Sequence, residues 1–230
     1  MKILIVSSAR SGSTYLYEVV QQYVAPKQRT WTRKHADRTR YDEAIKDDLS
    51  AVRNTNNVDV VLQQPTWVVK MLVEDLNDSN CDLYMQLVRC ADIVVKLRRN
   101  PAERTLSRLV ANQDDKWGPK RVNTEHIEID YEIVRKEVKD TIDSEARLNA
   151  QPADIVLDYT QLEYPRQIIS DITGMPQHKF PPMLPPTMKN DMVFDGATLL
   201  SIRDSMDAAC HSYNCTLWDD WDWDRYLGKK

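Results

Sequence analysis

Lys2-Ile3-Leu4-Ile5-Val6-Ser7-Ser8-Ala9-Arg10-Ser11-Gly12-Ser13-Thr14 changes character at Ser7. Lys2 to Val6 is a continuous apolar run rich in β-branched residues, the pattern of a strand buried on both faces of a parallel sheet. Ser7 to Thr14 is a polar turn of small residues, after which Leu16, Val19, Val20 and Tyr23 recur at helical spacing until Pro26. Strand, loop and helix in this order make a phosphate cradle, because the amides and dipole of the helix N-terminus favour an anion. It is not a triphosphate loop of the Gly-Lys-Thr kind: Gly12-Ser13-Thr14 stands there, and the cation, Arg10, precedes the glycine. The plainer alternative is a serine-rich strand-to-helix turn whose hydroxyls only cap.

Outward from this unit the alternation continues. Val60 to Leu62 and Trp67 to Val73 read as short strands, the second interrupted by Lys70, and a helix through Leu83, Leu87 and Val88 leads to a further buried strand, Ile93 to Leu97. Asn100-Pro101-Ala102-Glu103 is a helix start, with a capping side chain, proline at the first helical position and an acid in the first turn. That helix should run to about Asn112, with a loop from Asn112 to Thr124. Tyr131, Val134, Val138 and Ile142 mark one stripe of a charged helix. Ile155 to Leu157 reads as a last core strand, and the prolines between Met175 and Met188 predict an extended surface loop. The expectation is one domain over residues 1–230: an α/β fold of three layers, α/β/α, on a mostly parallel central sheet, with ligands at the carboxyl ends of the strands.

With 42% hydrophobic and 29% charged residues and only five glycines, the composition excludes collagen-like, disordered and coiled-coil classes. Lys and Arg number 31 against 35 Asp and Glu, which removes the broad basic footprint of a dedicated duplex binder, so no nucleic-acid partner is expected. No stretch approaches the roughly 18 apolar residues that span a bilayer, and Ile3 to Val6 is too short for a signal-peptide core. A soluble cytoplasmic chain without a membrane partner is expected, and its start on the first strand suits a bacterial or viral source. Cys81, Cys90, Cys210 and Cys215 form no Cys-x-x-Cys pair, so no metal centre is expected, and free thiols are expected in preference to a Cys210–Cys215 bridge, which the spacing allows.

A second loop carries a second candidate anion site. Arg99 follows the Ile93 to Leu97 strand, and Ser107 lies eight residues on, within the next helix. Arg104, Ser107, Arg108 and Ala111 share one helix face, so that a guanidinium and a hydroxyl converge on a further anion, while Leu106, Leu109 and Val110 face the core. The bland alternative is a charged, solvated face. Two anion sites on adjacent strand-to-helix units, one lacking the triphosphate lysine, suit a nucleotide phosphorylated at both 5′ and 3′ positions.

On these residues the chain resembles the sulfotransferases that use 3′-phosphoadenosine 5′-phosphosulfate (PAPS). Ile3-Leu4-Ile5-Val6 followed by Arg10-Ser11-Gly12-Ser13-Thr14 is similar to the family's 5′-phosphosulfate loop. Val95-Lys96-Leu97-Arg98-Arg99-Asn100-Pro101 with Arg104 and Ser107 is similar to its 3′-phosphate motif, and Leu157-Asp158-Tyr159-Thr160-Gln161-Leu162 resembles its third strand end. Ala9, where many members have proline, and Thr160-Gln161, where acids are usual, depart from the pattern, and the late Arg-Lys-Gly loop of the cytosolic branch is absent.

The resemblance implies a P-loop-like sulfotransferase fold and transfer of a sulfuryl group to a hydroxyl or amine of a small-molecule or carbohydrate acceptor, with 3′,5′-bisphosphate as product and no metal. It places Arg10, Ser11, Gly12, Ser13 and Thr14 on the 5′ side, Arg99 and Ser107 on the 3′-phosphate and Tyr159 near the adenine. Arg10 would meet the charge that develops on the bridging oxygen, and Lys70 stands where some branches keep a lysine near the sulfate. His35 is the first choice for the base that takes the acceptor's proton, with Glu18 and Asp37 as rivals. The basic cluster Lys27, Arg29, Arg33, Lys34, Arg38 and Arg40 suits an anionic acceptor or a solvated face. Trp218, Trp221 and Trp223 suit stacking on a sugar ring or, the reading preferred here, a terminal segment docking its aromatics on the body. Two other functions compete: a P-loop kinase-like phosphotransferase, whose lysine should follow Gly12 where Ser13 stands, and a PAPS-binding module without catalysis.

Overall fold

The apolar run at the start of the chain forms β1 (Lys2–Ser7), the centre of a parallel sheet with β2 (Trp67–Leu72), β3 (Ile93–Arg98) and β4 (Ile155–Asp158) in the order β2-β1-β3-β4. This computed structural model describes residues 1–24, 62–76, 81–113, 130–180, 194, 196–216 and 222–223. Its α-helices are α1 (Ser13–Val24), α2 (Cys81–Cys90), α3 (Pro101–Gln113), α4 (Tyr131–Ala150), α5 (Pro165–Thr173) and α6 (Gly196–Ser212). Among the described residues no helix is long and apolar enough to cross a membrane. The chain divides into two compact units, Met1–Arg98 with Ala150–Pro186, and Arg99–Asn149 with Thr187–Lys230.

The first unit is the sheet and its helices. Ile3, Leu4, Ile5 and Val6 are fully buried, and removing each such side chain from water contributes about 1.5–3 kcal/mol. Ile3 and Ile5 join Val68, Val95, Leu97 and Leu157 on one face, under Leu16, Tyr17 and Val20 of α1 and Ile168 and Ile172 of α5. Leu4, Val6, Val69 and Val94 are buried on the opposite face, to which the right-handed crossover rule assigns α2, because the connection from β2 to β3 runs back past β1. This reversal makes the carboxyl ends of β1 and β3 the switch point where open α/β sheets bind ligands. The last strand differs from expectation: Val156 is 52% exposed, because β4 lies at the sheet's edge. Of the proposed Val60 to Leu62 strand, residues 60–61 lie outside the described residues and Leu62 is not in a strand. The segment after Met175 is tied down rather than extended at its start, where Phe180 is buried edge-on against Tyr23 at a centroid distance of 5.3 Å.

In the second unit Asn100 caps α3 as its sequence predicts, Oδ1 accepting from the Ala102 amide at 2.9 Å and the Glu103 amide at 3.3 Å. Leu106, Leu109 and Val110 pack with Val134 and Val138 of α4, with Leu199, Ile202 and Met206 of α6, and with Trp223. Trp223 therefore docks its ring in this unit's core, as expected, whereas Trp218 and Trp221 lie outside the described residues. The expectation of four free thiols is corrected. Cys210 and Cys215 form a disulfide, because the chain turns back after α6 through Asn214 at φ 50° and brings the two Cα atoms to 5.2 Å. Cys81 and Cys90 are free.

Candidate functional site

The loop between β1 and α1 turns through two left-handed residues, Arg10 at φ 65° and Gly12 at φ 83°. For glycine this conformation is inexpensive, whereas for arginine it costs about 1–2 kcal/mol, so the surroundings must impose it. Ser11 Oγ donates to the Ser8 carbonyl at 2.5 Å and ties the turn from within. Leu16 N donates to the Gly12 carbonyl at 3.2 Å, so helical bonding starts at the glycine and the residues between form the open first turn of α1. A side chain at position 12 has no room: a Cβ would stand 2.7 Å from Leu162 Cδ1 and 2.8 Å from Tyr159 Cε2. The Tyr159 ring is thus brought onto the loop by the turn that follows β4, Tyr159–Glu163.

Two side chains at the end of β2 reach the same loop. Ile5 and Lys70 are register partners, and Lys70 Nζ donates to Thr14 Oγ1 at 3.0 Å. Glu74, in the tight turn Val73–Asp75 that continues β2, accepts from the Ala9 amide with both carboxylate oxygens at 3.0 Å. Beneath the loop Ser7 and Ser8 are wholly buried, and neither hydroxyl has a hydrogen-bond partner among the described residues. A buried hydroxyl left so costs about 1–3 kcal/mol, which marks the place as one kept for something other than stability. Lys96, on β3 opposite Val6, is also buried. Burial, and then the neighbouring Arg98 guanidinium, pull its ammonium below the usual lysine range.

In the second unit Arg99 pairs with Glu103 at 2.7 Å, both side chains 7% exposed, and Ser107 is buried two turns along α3. The wider basic face of α3 is not an anion site. Arg104 is 1% exposed, pairs with Glu145 at 2.8 Å and donates to Ser144 Oγ at 2.6 Å and the Thr141 carbonyl at 3.0 Å. Arg108 pairs with Glu137 at 2.6 Å and Asp140 at 3.3 Å. These guanidinium groups are taken by α4 carboxylates, so Arg104 does not join the Ser107 hydroxyl on a further anion and Arg108 is not a solvated charge; Arg99, itself paired with Glu103, and Ser107 remain the candidates.

The first unit therefore brings Arg10, Ser11, Gly12, Ser13, Thr14, Lys70 and Tyr159 to one loop, while Arg99 and Ser107 belong to the second. His35 and Asp37 lie outside the described residues, as does the basic cluster Lys27 to Arg40, and Glu18 is on the exposed side of α1. Glu74 was not foreseen from sequence; its signal was an acidic residue just past the carboxyl end of a strand beside β1. Among the described residues no group of three or more His, Cys, Asp or Glu side chains is placed to hold a metal ion. Compared with the models of known protein families and with curated proteins, the chain matches none.

Proposed function

We propose that the protein is a PAPS-dependent sulfotransferase of P-loop-like fold, with a small-molecule or carbohydrate acceptor. The observation that carries this reading is the ammonium of Lys70 on the Thr14 hydroxyl at 3.0 Å. In a triphosphate loop the hydroxyl two residues after the glycine serves the magnesium ion, and the lysine comes between them. Here Ser13 comes between, and the hydroxyl is held by a lysine from the neighbouring strand. The loop's charge is thus supplied by side chains, Lys70 and Arg10, an arrangement suited to one phosphate bearing a transferable group rather than to a metal-bridged triphosphate.

The first-turn amides of α1, a glycine position that admits no side chain, and the unpartnered hydroxyls beneath fit a 5′-phosphate lying close to the backbone. The ring of Tyr159 supplies an apolar surface beside that loop for a base, and Arg99 with Ser107 supplies a charged and a neutral donor for a 3′-phosphate. The nucleotide supplies an activated sulfuryl group: the acceptor's oxygen or nitrogen bonds to sulfur as the bond to the bridging oxygen breaks. Arg10 and Lys70 hold the charge left on that oxygen, and His35 takes the acceptor's proton. This division gives the protein two tasks, positioning and charge stabilisation, in a cytoplasmic setting.

The test is a thermal-shift comparison of 3′,5′-bisphosphate with ATP and GTP plus Mg²⁺. A ligand of the native state at 100 times its Kd adds about 2.7 kcal/mol of stability. Stabilisation by the bisphosphate alone is expected; stabilisation by a triphosphate alone would return the chain to the phosphotransferase reading, and bisphosphate binding with no consumption of PAPS would leave a binding module.

A further inference from the structure

Glu74 has no part in the chemistry assigned above, yet its carboxylate is set against the loop to which the proposed function gives the 5′-phosphate. Both of its oxygens lie 3.0 Å from the Ala9 nitrogen. The next residue, Arg10, is at φ 65°, a conformation that a non-glycine residue keeps only where its neighbours over-determine it. The Ser11 hydroxyl on the Ser8 carbonyl at 2.5 Å closes the turn across Arg10, and the start of α1 holds its far end. Glu74 adds a tie on the near side, from outside the turn.

We propose that Glu74 is a positioning residue for Arg10: by taking the Ala9 N–H it clamps the loop in the turn that presents the arginine. The significance of Arg10 rests on the sulfotransferase reading, whereas the clamp itself does not. The anchor is rigid. Val73, beside Glu74, is fully buried, and the turn continues β2 at the point where Ser7 and Leu72 are register partners. A carboxylate accepting a backbone N–H is among the stronger hydrogen bonds, and here it bridges two strand ends. The same negative charge opposes a phosphate in the loop, so the acceptor atom and the charge have opposite consequences for function, and substitution separates them. Glutamine keeps an acceptor oxygen and drops the charge; alanine removes both.

The experiment compares the full-length chain with Glu74→Gln and Glu74→Ala. It reads amide hydrogen exchange at Ala9 and Arg10, calorimetric binding of 3′,5′-bisphosphate, and release of sulfate and bisphosphate from PAPS with water as acceptor. Glu74→Ala should speed exchange at these two amides about tenfold or more and slow PAPS consumption by a similar factor, while bisphosphate Kd stays within about threefold. Glu74→Gln should restore exchange and turnover and bind bisphosphate as tightly as the wild type or more so. Glutamine as slow as alanine with wild-type exchange would overturn the clamp and make Glu74 a proton acceptor. Wild-type exchange and turnover in the alanine variant would also overturn it. If the wild type neither binds bisphosphate nor consumes PAPS while alanine still loosens the loop, the sulfotransferase reading fails and the clamp stands.

Discussion

Tyr159 closes over Gly12, its Cε2 2.8 Å from where a Cβ on that glycine would stand, with Leu162 Cδ1 at 2.7 Å on the same side. Gly12 is also at φ 83°. Gly12→Ala must therefore accept a left-handed alanine and displace a ring or a leucine, at a cost of about 1–3 kcal/mol. Chemical denaturation should show that loss, and calorimetry should show bisphosphate affinity reduced at least tenfold as the loop shifts. An alanine variant as stable and as tightly binding as the wild type would mean that the ring does not bear on the loop.

Lys70→Ala should act on turnover more than on affinity. An ammonium that meets charge developing in the transition state lowers the barrier without tightening the ground state. The expected result is a fall in the rate of PAPS consumption of about 10²-fold, with bisphosphate Kd changed only a few-fold. A loss confined to Kd would make Lys70 a binding residue.

For the 3′-phosphate, Arg99→Ala should weaken binding of 3′,5′-bisphosphate far more than binding of 5′-AMP, since a charge-assisted contact to phosphate is about twice as strong as a neutral one. The same change releases Glu103, whose partner at 2.7 Å is lost. Arg99→Ala/Glu103→Gln removes that newly unpaired charge and should show the same nucleotide discrimination. Equal losses for both nucleotides would remove the 3′-phosphate from this side chain.

The sheet was legible because its signals are local. The apolar run of β1, the change of period after Ser7 and the Asn100-Pro101 cap each need only neighbouring residues, and each is found where expected. Glu74 and the α3–α4 seam were not legible because their meaning is tertiary. Glu74 matters only once β2 is in register with β1, across an intervening stretch whose residues 27–57 are polar and irregular in sequence. In the sequence Arg104 and Arg108 fit an anion-binding or a solvated face alike until α4 supplies Glu137 and Glu145, whose spacing was masked by the surrounding charges of the same helix. Charge on a helix thus gave its periodicity and not its partner, which is where the sequence reading of a wider anion site failed.

Tyr84 gives a pH dependence with a definite sign. Its side chain is buried, its hydroxyl has no hydrogen-bond partner among the described residues, and burial, then the charge of Cys81, push its pKa up to about 12. The unfolded tyrosine titrates near 10. Below pH 10 both states hold the proton and nothing changes; between pH 10 and 12 the unfolded state releases it first, so stability falls as pH rises. Tyr84→Phe should flatten that part of the stability profile and, having removed an unpartnered hydroxyl, leave stability at pH 7 equal or slightly higher. A steeper alkaline loss in the variant would contradict the assignment.

Arg104 and Glu145 test whether the buried polar seam stabilises the second unit or only specifies it. With both side chains almost fully buried at 2.8 Å, breaking the pair from one side leaves a charge that water cannot reach, a penalty of about 3–5 kcal/mol. Arg104→Met should therefore be strongly destabilising in urea denaturation, and Arg104 also gives up its bonds to Ser144 and to the Thr141 carbonyl. Replacing both members, Arg104→Met with Glu145→Leu, exchanges the desolvated charges for apolar contact and should recover most of the loss, because a buried pair replaced by well-packed hydrophobic residues is often neutral or stabilising. The double-mutant cycle measures the coupling directly. If the two single losses simply add, the guanidinium and carboxylate are stabilised by separate partners, and the seam is not held by this pair.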